Sequence, residues 1–239
     1  MEQFLSKLAE DMYMMSLKMS MQNETIQIRN SRFWLPNFPM DVIQRIMVMS
    51  NNYWDEEAIN VMDKYIPDDA VIVDIGAYIG SHSVYWAVER HAKKIYAFEP
   101  LQSAYEIMEK NIALNNLEDI IIPYSFGLSD KFENAEISFY DRGNIGATAF
   151  IPSERGPFQM RSLDSIEIPE KIDLIKVDVE EAEVEVLYGA IETIKRDKPV
   201  VVVETFNKKF DVDRVLKEVG YIQVDTIREN EDFVYKYVC

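Results

Sequence analysis

Val71-Ile-Val-Asp-Ile-Gly-Ala-Tyr-Ile-Gly80 is the stretch whose reading decides the fold of this chain. A short apolar run ends in Asp74, and two glycines follow, Gly76 and Gly80. A second apolar run, Ile95 to Phe98, ends in Glu99. That acid falls about 20 residues after the loop, the offset at which a carboxylate meets a nucleotide ribose. The pattern is a buried strand, a tight glycine loop opening a helix, and a neighbouring strand tipped by an acid. A parallel α/β sheet holds a nucleoside-containing cofactor in this way.

Outward from that stretch the chain alternates. Strand Val71–Asp74 leads into helix Ser81–Arg90, strand Ile95–Phe98 into helix Ser103–Asn115, and strand Ile120–Tyr124 follows. Strand Leu174–Val177 precedes helix Ala182–Lys195, and strand Pro199–Glu204 precedes helix Val212–Val219. This rhythm predicts a doubly wound, mostly parallel α/β sheet. Between Ser125 and Ser162 no long helix is legible, and Ala135–Tyr140 reads as an extra strand in an irregular insertion. Two strand-like runs close the chain, Ile222–Thr226 and Phe233–Val238, joined by the polar turn Arg228-Glu-Asn-Glu-Asp232. A terminal hairpin makes one strand antiparallel to its neighbours.

Residues 1–65 differ from the rest and read as an N-terminal helical cap on a main domain covering 66–239. They hold Trp34 and Trp54, and Leu5, Leu8, Met12, Met15 and Met19 recur at helical spacing. That stripe is expected to pack, since methionines fill irregular cores. A second helix is expected after Phe38-Pro39 with Asp41 near its start, and a third over Asp55–Tyr65, stopping before Pro67.

The composition narrows the partners. The 239 residues are 48% hydrophobic and 28% charged, enough for a sizeable core. The net charge of −17 repels phosphate backbones and anionic membrane surfaces, which argues against nucleic acid and membrane partners. The only cysteine is Cys239, so no disulfide within the chain is expected and a reducing cytoplasm fits. Glu2, Glu10 and Asp11 do not read as a signal peptide, and no apolar run matches a membrane span. The sequence leaves a homo-oligomer open.

The glycine loop also discriminates between cofactors. A dinucleotide site needs Gly-x-Gly-x-x-Gly, whose middle glycine admits the pyrophosphate. Here that place is taken by Tyr78. Asp74, two residues before the first glycine, is placed to meet an ammonium group, which S-adenosylmethionine (SAM) carries. The amides opening the Ser81 helix are expected to face an anionic group. An NAD(P)-binding oxidoreductase is the competing reading, and a non-catalytic SAM-binding module is a third.

These residues resemble the FkbM-type methyltransferases, SAM-dependent O-methyltransferases with the Rossmann-like class I fold of seven strands. The resemblance covers roughly residues 55–204. It rests on Asp74-Ile-Gly-Ala-Tyr-Ile-Gly-Ser-His82, on Ala97-Phe-Glu-Pro100 with Asn111 and Leu114-Asn115, and on Gly127-Leu-Ser-Asp130. It continues in Ser162-Leu-Asp164, in Ile172-Asp-Leu-Ile-Lys-Val-Asp-Val-Glu180, in Ala182-Glu183, in Glu185-Val-Leu187 and in Gly189-Ala190. Tyr78 stands where the family has asparagine, and Glu181 where it usually has glycine. The resemblance implies methyl transfer to a hydroxyl of a small-molecule, sugar or glycan acceptor, in surface-polysaccharide or natural-product biosynthesis.

The expected cofactor contacts are Asp74, Gly76, Ala77, Tyr78, Gly80, Ser81, His82, Glu99 and Pro100. Ser125 and Phe126 beyond the next strand, Asp178, and Tyr53 from the N-terminal segment complete the set, with Trp54 and Glu56 beside Tyr53. An alcohol acceptor must lose its proton, so a base is needed. His82 is the first candidate, because its ordinary pKa is near neutrality. Asp178, Glu180 and Glu204 are the second group. Asp178 and Glu204 end neighbouring strands, and Lys176 lies on the same strand face as Asp178. Carboxylates there would also suit a divalent metal, but the sequence does not require one. The run Glu181, Glu183, Glu185 reads as a solvated helix face. Arg142-Gly-Asn-Ile-Gly-Ala-Thr148 reads as a loop over the acceptor pocket.

Overall fold

The computed structural model describes residues 7, 12–19, 21, 24–228 and 231–238. Leu5, Leu8, the acids Glu2, Glu10 and Asp11, Glu229, Asn230 and Cys239 lie outside the described residues.

Five parallel strands form the middle of the main sheet: β3 (Val71–Ile75), β4 (Lys94–Phe98), β5 (Ile121–Tyr124), β10 (Leu174–Val177) and β11 (Val200–Glu204). β12 (Tyr221–Thr226) and β13 (Asp232–Tyr237) complete seven strands in the order β12-β13-β11-β10-β3-β4-β5. β13 runs antiparallel to both β11 and β12, as the terminal hairpin predicted. β3 is buried along its whole length, which is why it reads as a continuous apolar run rather than an alternating one.

The two faces of the sheet are separate cores. Ile72, Ala97, Leu174 and Val202 pack against the helices Ser81–Val88 and Gln102–Leu114. Val73, Phe98, Ile175 and Val203 pack against the helices Glu183–Gly189, Ile191–Asp197 and Lys209–Glu218. Side chains alternate along a strand, so Asp74, Lys176 and Glu204 share the first face with Ile72, Leu174 and Val202. Lys176 pairs with Asp74 in the parallel register, and Glu204 faces Asp232 across the antiparallel one.

Three expectations are corrected. The stretch expected as one helix over Ala182–Lys195 is two, broken at Ala190. Asp164 accepts from the Glu192 and Thr193 amides at 3.0 and 2.8 Å and so caps the second. The insertion is not irregular. It forms a second sheet, β6-β9-β7-β8, from Gly127–Leu128, Phe158–Arg161, Glu133–Asp141 and Asn144–Pro152. The N-terminal segment is not purely helical either. A hairpin of β1 (Thr25–Ile28) and β2 (Ser31–Trp34) precedes the helices Val42–Ser50 and Glu56–Met62.

That segment packs into the first core through Phe33, Met47, Ile59 and Met62. Asn111, fully buried, accepts from the Trp34 amide at 2.7 Å and donates to the Ile79 carbonyl at 2.9 Å. The motif residues Asn111 and Asn115 therefore join β2 to the Gln102–Leu114 helix. The methionine stripe faces the other way from its expected direction. Met12, Met15 and Met19 are exposed, while Met14 and Leu17 pack inward. Methionines occupy both faces of that helix, so spacing alone did not choose one. Among the described residues no helix is long and apolar enough to cross a membrane.

Candidate active site

Where β3 ends, the chain turns through Gly76 (φ 77°) and Gly80 (φ 78°) into the Ser81–Val88 helix. A Cβ on Gly76 would lie 1.8 Å from the Asp178 carbonyl oxygen, so only glycine lets the β3 and β10 tips approach this closely. The amides of Gly76 and Ala77 both donate to the Phe98 carbonyl, and that of Gly80 to the Ala77 carbonyl. Glu99, at the β4 tip, accepts from the Tyr78 amide at 2.9 Å and the Leu101 amide at 2.7 Å. Its carboxyl is buried, and burial pushes it up to about 7 against the pull of those two amides.

A cavity of about 360 Å³ opens beyond these strand tips. Of the residues singled out in the sequence, Gly76, Ala77, Tyr78, Ser81, His82, Glu99, Pro100, Asp178, Glu180 and Glu204 line it. Trp54 joins them from the N-terminal segment.

Five residues expected as contacts do not line this cavity. Asp74 is fully buried beneath the wall, where Ser83 Oγ donates to it at 2.6 Å and Lys176 Nζ stands 3.5 Å away. Its charge therefore meets a lysine of its own sheet. Gly80 lies behind the wall, against Met108. Tyr53 sits in the N-terminal core, its hydroxyl bonded to Ser31 and Glu89, because its neighbour Trp54 takes the cavity side. Ser125 is exposed, and Phe126 packs beside Phe98 and Tyr124 under the Arg161 guanidinium.

Trp54 and the helix start form a latch. The Trp54 amide donates to Ser81 Oγ at 2.9 Å, and His82 Nε2 donates to the Trp54 carbonyl at 3.0 Å. A carbonyl only accepts, so Nε2 carries the proton and Nδ1 is left as an acceptor. Burial, reinforced by Lys176, lowers the His82 pKa. The imidazole is neutral near pH 7.

Beside it lies a charged chain. Lys176 donates to Asp178 at 2.7 Å. Burial opposes the lysine's charge, but Asp178 and Asp74 outweigh it and keep Lys176 protonated. Burial pushes the Asp178 carboxyl up, yet Lys176 holds it below the usual carboxylate range. The Asp178 charge, then burial and Asp232, push Glu204 up to about 9. Asp178 is thus the ionised member and Glu204 the protonated one of a neighbouring pair. Burial also raises Glu180. Arg228 ties the periphery together, reaching Asp232 at 2.7 Å, Asp55 at 2.9 Å and Glu204 at 3.5 Å.

Sequence reasoning missed most of the opposite wall. β8 contributes Asn144 through Pro152, so 144–148 is a strand lining the cavity and not a loop, while Arg142 and Gly143 form the turn before it. Asp41 clasps that strand: Oδ1 accepts from the Gln44 amide and caps the Val42–Ser50 helix, and Oδ2 accepts from the Ile145 amide at 2.9 Å. Glu183 is buried rather than solvated, and one of its carboxylate oxygens has no hydrogen-bond partner among the described residues. The departures Tyr78 and Glu181 both have positive φ, 51° and 64°. Asparagine and glycine tolerate that region, which explains why the resembled pattern prefers them there.

This strand order, with its crevice at the β3, β4 and β10 tips, defines a Rossmann-like methyltransferase fold. Residues 74–230 match the family described as Methyltransferase FkbM domain, and the chain belongs to that family. It is a methyltransferase, and the oxidoreductase reading falls.

Among its relatives, methyltransferase sdnD of Sordaria araneosa is 26% identical over 196 residues, 65% of this chain and 75% of that protein. The hexuronic acid methyltransferase AglP of Haloferax volcanii is 24% identical over 204 residues, 82% of each. Two solved structures share the fold. One is methyltransferase FkbM from Methylobacillus flagellatus KT (TM-score 0.51, 16% identity), matched over 82% of this chain and 52% of that one. This chain thus spans about half the length of that protein. The other is an NADB-Rossmann superfamily protein from Streptococcus agalactiae (TM-score 0.53, 16% identity, 77% and 68%).

Proposed function

We propose that the protein is a SAM-dependent O-methyltransferase acting on a hydroxyl of a small-molecule or sugar acceptor. The observation that carries this reading is a neutral, buried histidine on the wall of a cavity at the strand tips, whose acceptor nitrogen has no partner among the described residues. The residues present fit SAM. Gly76, Ala77 and Tyr78 of the glycine loop line the cavity, and the buried Glu99 carboxyl lies where a ribose diol would be held. When bound, SAM supplies a methyl group already activated on a cationic sulfur. Tyr78 and Trp54 bound the cavity as aromatic walls suited to a sulfonium.

The chain's own residues then have three tasks. The cavity orients the acceptor oxygen, and orientation alone is worth about 7–11 kcal/mol. His82 Nδ1 accepts the acceptor's proton, a contribution of about 10²–10⁴-fold. Asp178 and Glu180 hold the hydroxyl, while Glu204, keeping its own proton to about pH 9, leaves Asp178 as the charged partner of Lys176. The sugar-type acceptor is supported by the relative AglP, whose name specifies a hexuronic acid.

The test is transfer of labelled methyl from SAM to a panel of sugars, oligosaccharides and hydroxylated small molecules. His82→Ala is expected to lower kcat by about 10²–10⁴-fold with SAM affinity within a few-fold. If His82→Ala and Asp178→Asn both kept full activity, the assignment of the base would be wrong. Thermal-shift titration with SAM and NAD tests the cofactor separately: stabilisation by NAD alone would remove SAM.

A further inference from the structure

We infer that the acceptor enters this cavity without negative charge, as a neutral or amino-bearing hydroxyl compound and not as a uronic acid or sugar phosphate. The inference rests on the hydroxyl-methylation reading above and separates the acceptor of this cavity from the anionic hexuronic acid for which the relative AglP is named.

Among side chains, an unspent cation, ideally an arginine fork, recognises a carboxylate or phosphate most strongly. Among the described residues the cavity wall carries two cations, Lys176 and Arg228. Both are already paired. Lys176 is held between Asp178 at 2.7 Å and Asp74 at 3.5 Å. Arg228 is shared among Asp55, Glu204, Glu231 and Asp232. Lys208, close outside the wall, donates to the Glu181 carbonyl and stands 4.0 Å from Glu185.

The carboxyl groups outnumber them. Glu133, Asp178, Glu180, Glu181 and Glu185 line the cavity in addition to Glu99 and Glu204. The side chains of Glu180 and Glu181 make no ion pair among the described residues. Even with Glu204 protonated, an anion brought to Asp178 would meet like charges on one side. On the other side it would meet Glu133 of β7 and the uncharged side chains of Ser138, Asn144 and Thr148. Like charges close together in a partly dry site are strongly disfavoured. An ammonium would be favoured by the same field, and a plain hydroxyl compound tolerated.

One sugar ring in four forms tests this: a methyl glucoside, the matching 2-amino glycoside, the matching glucuronide and glucose 6-phosphate. Each is offered to the SAM-loaded full chain, and kcat/KM is read from labelled methyl transfer. The amino and neutral forms are expected to react at least tenfold faster than both anionic forms. In the Glu181→Gln/Glu185→Gln double variant the ratio of neutral to anionic rates is expected to fall several-fold. A glucuronide or phosphate that reacts as fast as the glucoside overturns the inference and leaves the methyltransferase reading intact. So does an unchanged ratio in the variant. Transfer to none of the four, with SAM bound, removes the sugar-hydroxyl reading itself and the inference with it.

Discussion

At Gly76 the backbone φ is 77°, and a Cβ would lie 1.8 Å from the Asp178 carbonyl. Gly76→Ala combines a left-handed alanine with a backbone clash and is expected to destabilise by about 2–5 kcal/mol. It should also weaken SAM binding, because the β3 and β10 tips must separate. Thermal denaturation and a SAM titration read the two effects, and a variant unchanged in both would show that the tips are not held this close. Glu181 occupies the same backbone region, φ 64°, without needing its side chain for the turn. Glu181→Gly relieves about 1–2 kcal/mol of left-handed strain against about 0.5–1 kcal/mol of glycine entropy, so a small rise in Tm is expected. A fall in Tm would mean that contacts of the glutamate outweigh its strain. Both glycine positions of the loop were legible in the sequence, because glycine there reports a backbone requirement directly. The partner of Asp74 was not: Lys176 lies about a hundred residues away, and only the parallel register brings the two side by side.

The elements that close the site hang on single side chains. Asp41 is fully buried and serves two elements at once, capping the Val42–Ser50 helix and accepting from Ile145 of β8. Asp41→Ala removes a cap, worth about 0.5–2 kcal/mol, and strands a buried amide, worth about 1–3 kcal/mol. Chemical denaturation is expected to show a loss of about 2–4 kcal/mol, with faster hydrogen exchange at Ile145 than elsewhere in the second sheet. Uniform exchange across that sheet would place the clasp elsewhere. The sequence marked Asp41 only as a helix start. Its second bond is non-local, and within residues 125–162 the sequence announced one strand, Ala135–Tyr140, but not the four-stranded sheet around it. Its strands β7 and β8 mix exposed apolar and polar residues, such as Phe139 and Ile151, so the usual alternation is blurred.

For the whole molecule, the buried carboxyls of the site set how stability changes with pH. The folded chain keeps a proton on Glu204 to about pH 9, whereas an ordinary glutamate loses it near 4.5. Between those values the folded state binds more protons than the unfolded one, so stability falls as pH rises. Glu99, pushed up to about 7, adds to the same trend. His82 works against this trend: its lowered pKa means the unfolded chain binds more protons on the histidine below the ordinary 6.5, which offsets part of the gain from Glu204 and Glu99 as pH drops there. Tm is expected to decline from about pH 6.5 to 9, and Glu204→Gln to flatten that decline. An equally steep decline in the variant would show that Glu204 does not carry the proton.

The sequence by itself determined the doubly wound sheet, the terminal hairpin, the glycine loop and the acids at the strand tips. Those are local signals: apolar runs of strand length, glycines where φ is positive, and a polar residue where a strand ends. Only the tertiary structure decided that Asp74 faces Lys176, that Trp54 and not Tyr53 reaches the cavity, that β8 forms the far wall, and that the two cations on the cavity wall, Lys176 and Arg228, are already paired. Those facts depend on register and packing between distant segments, and free energy gained between elements leaves no pattern within either one.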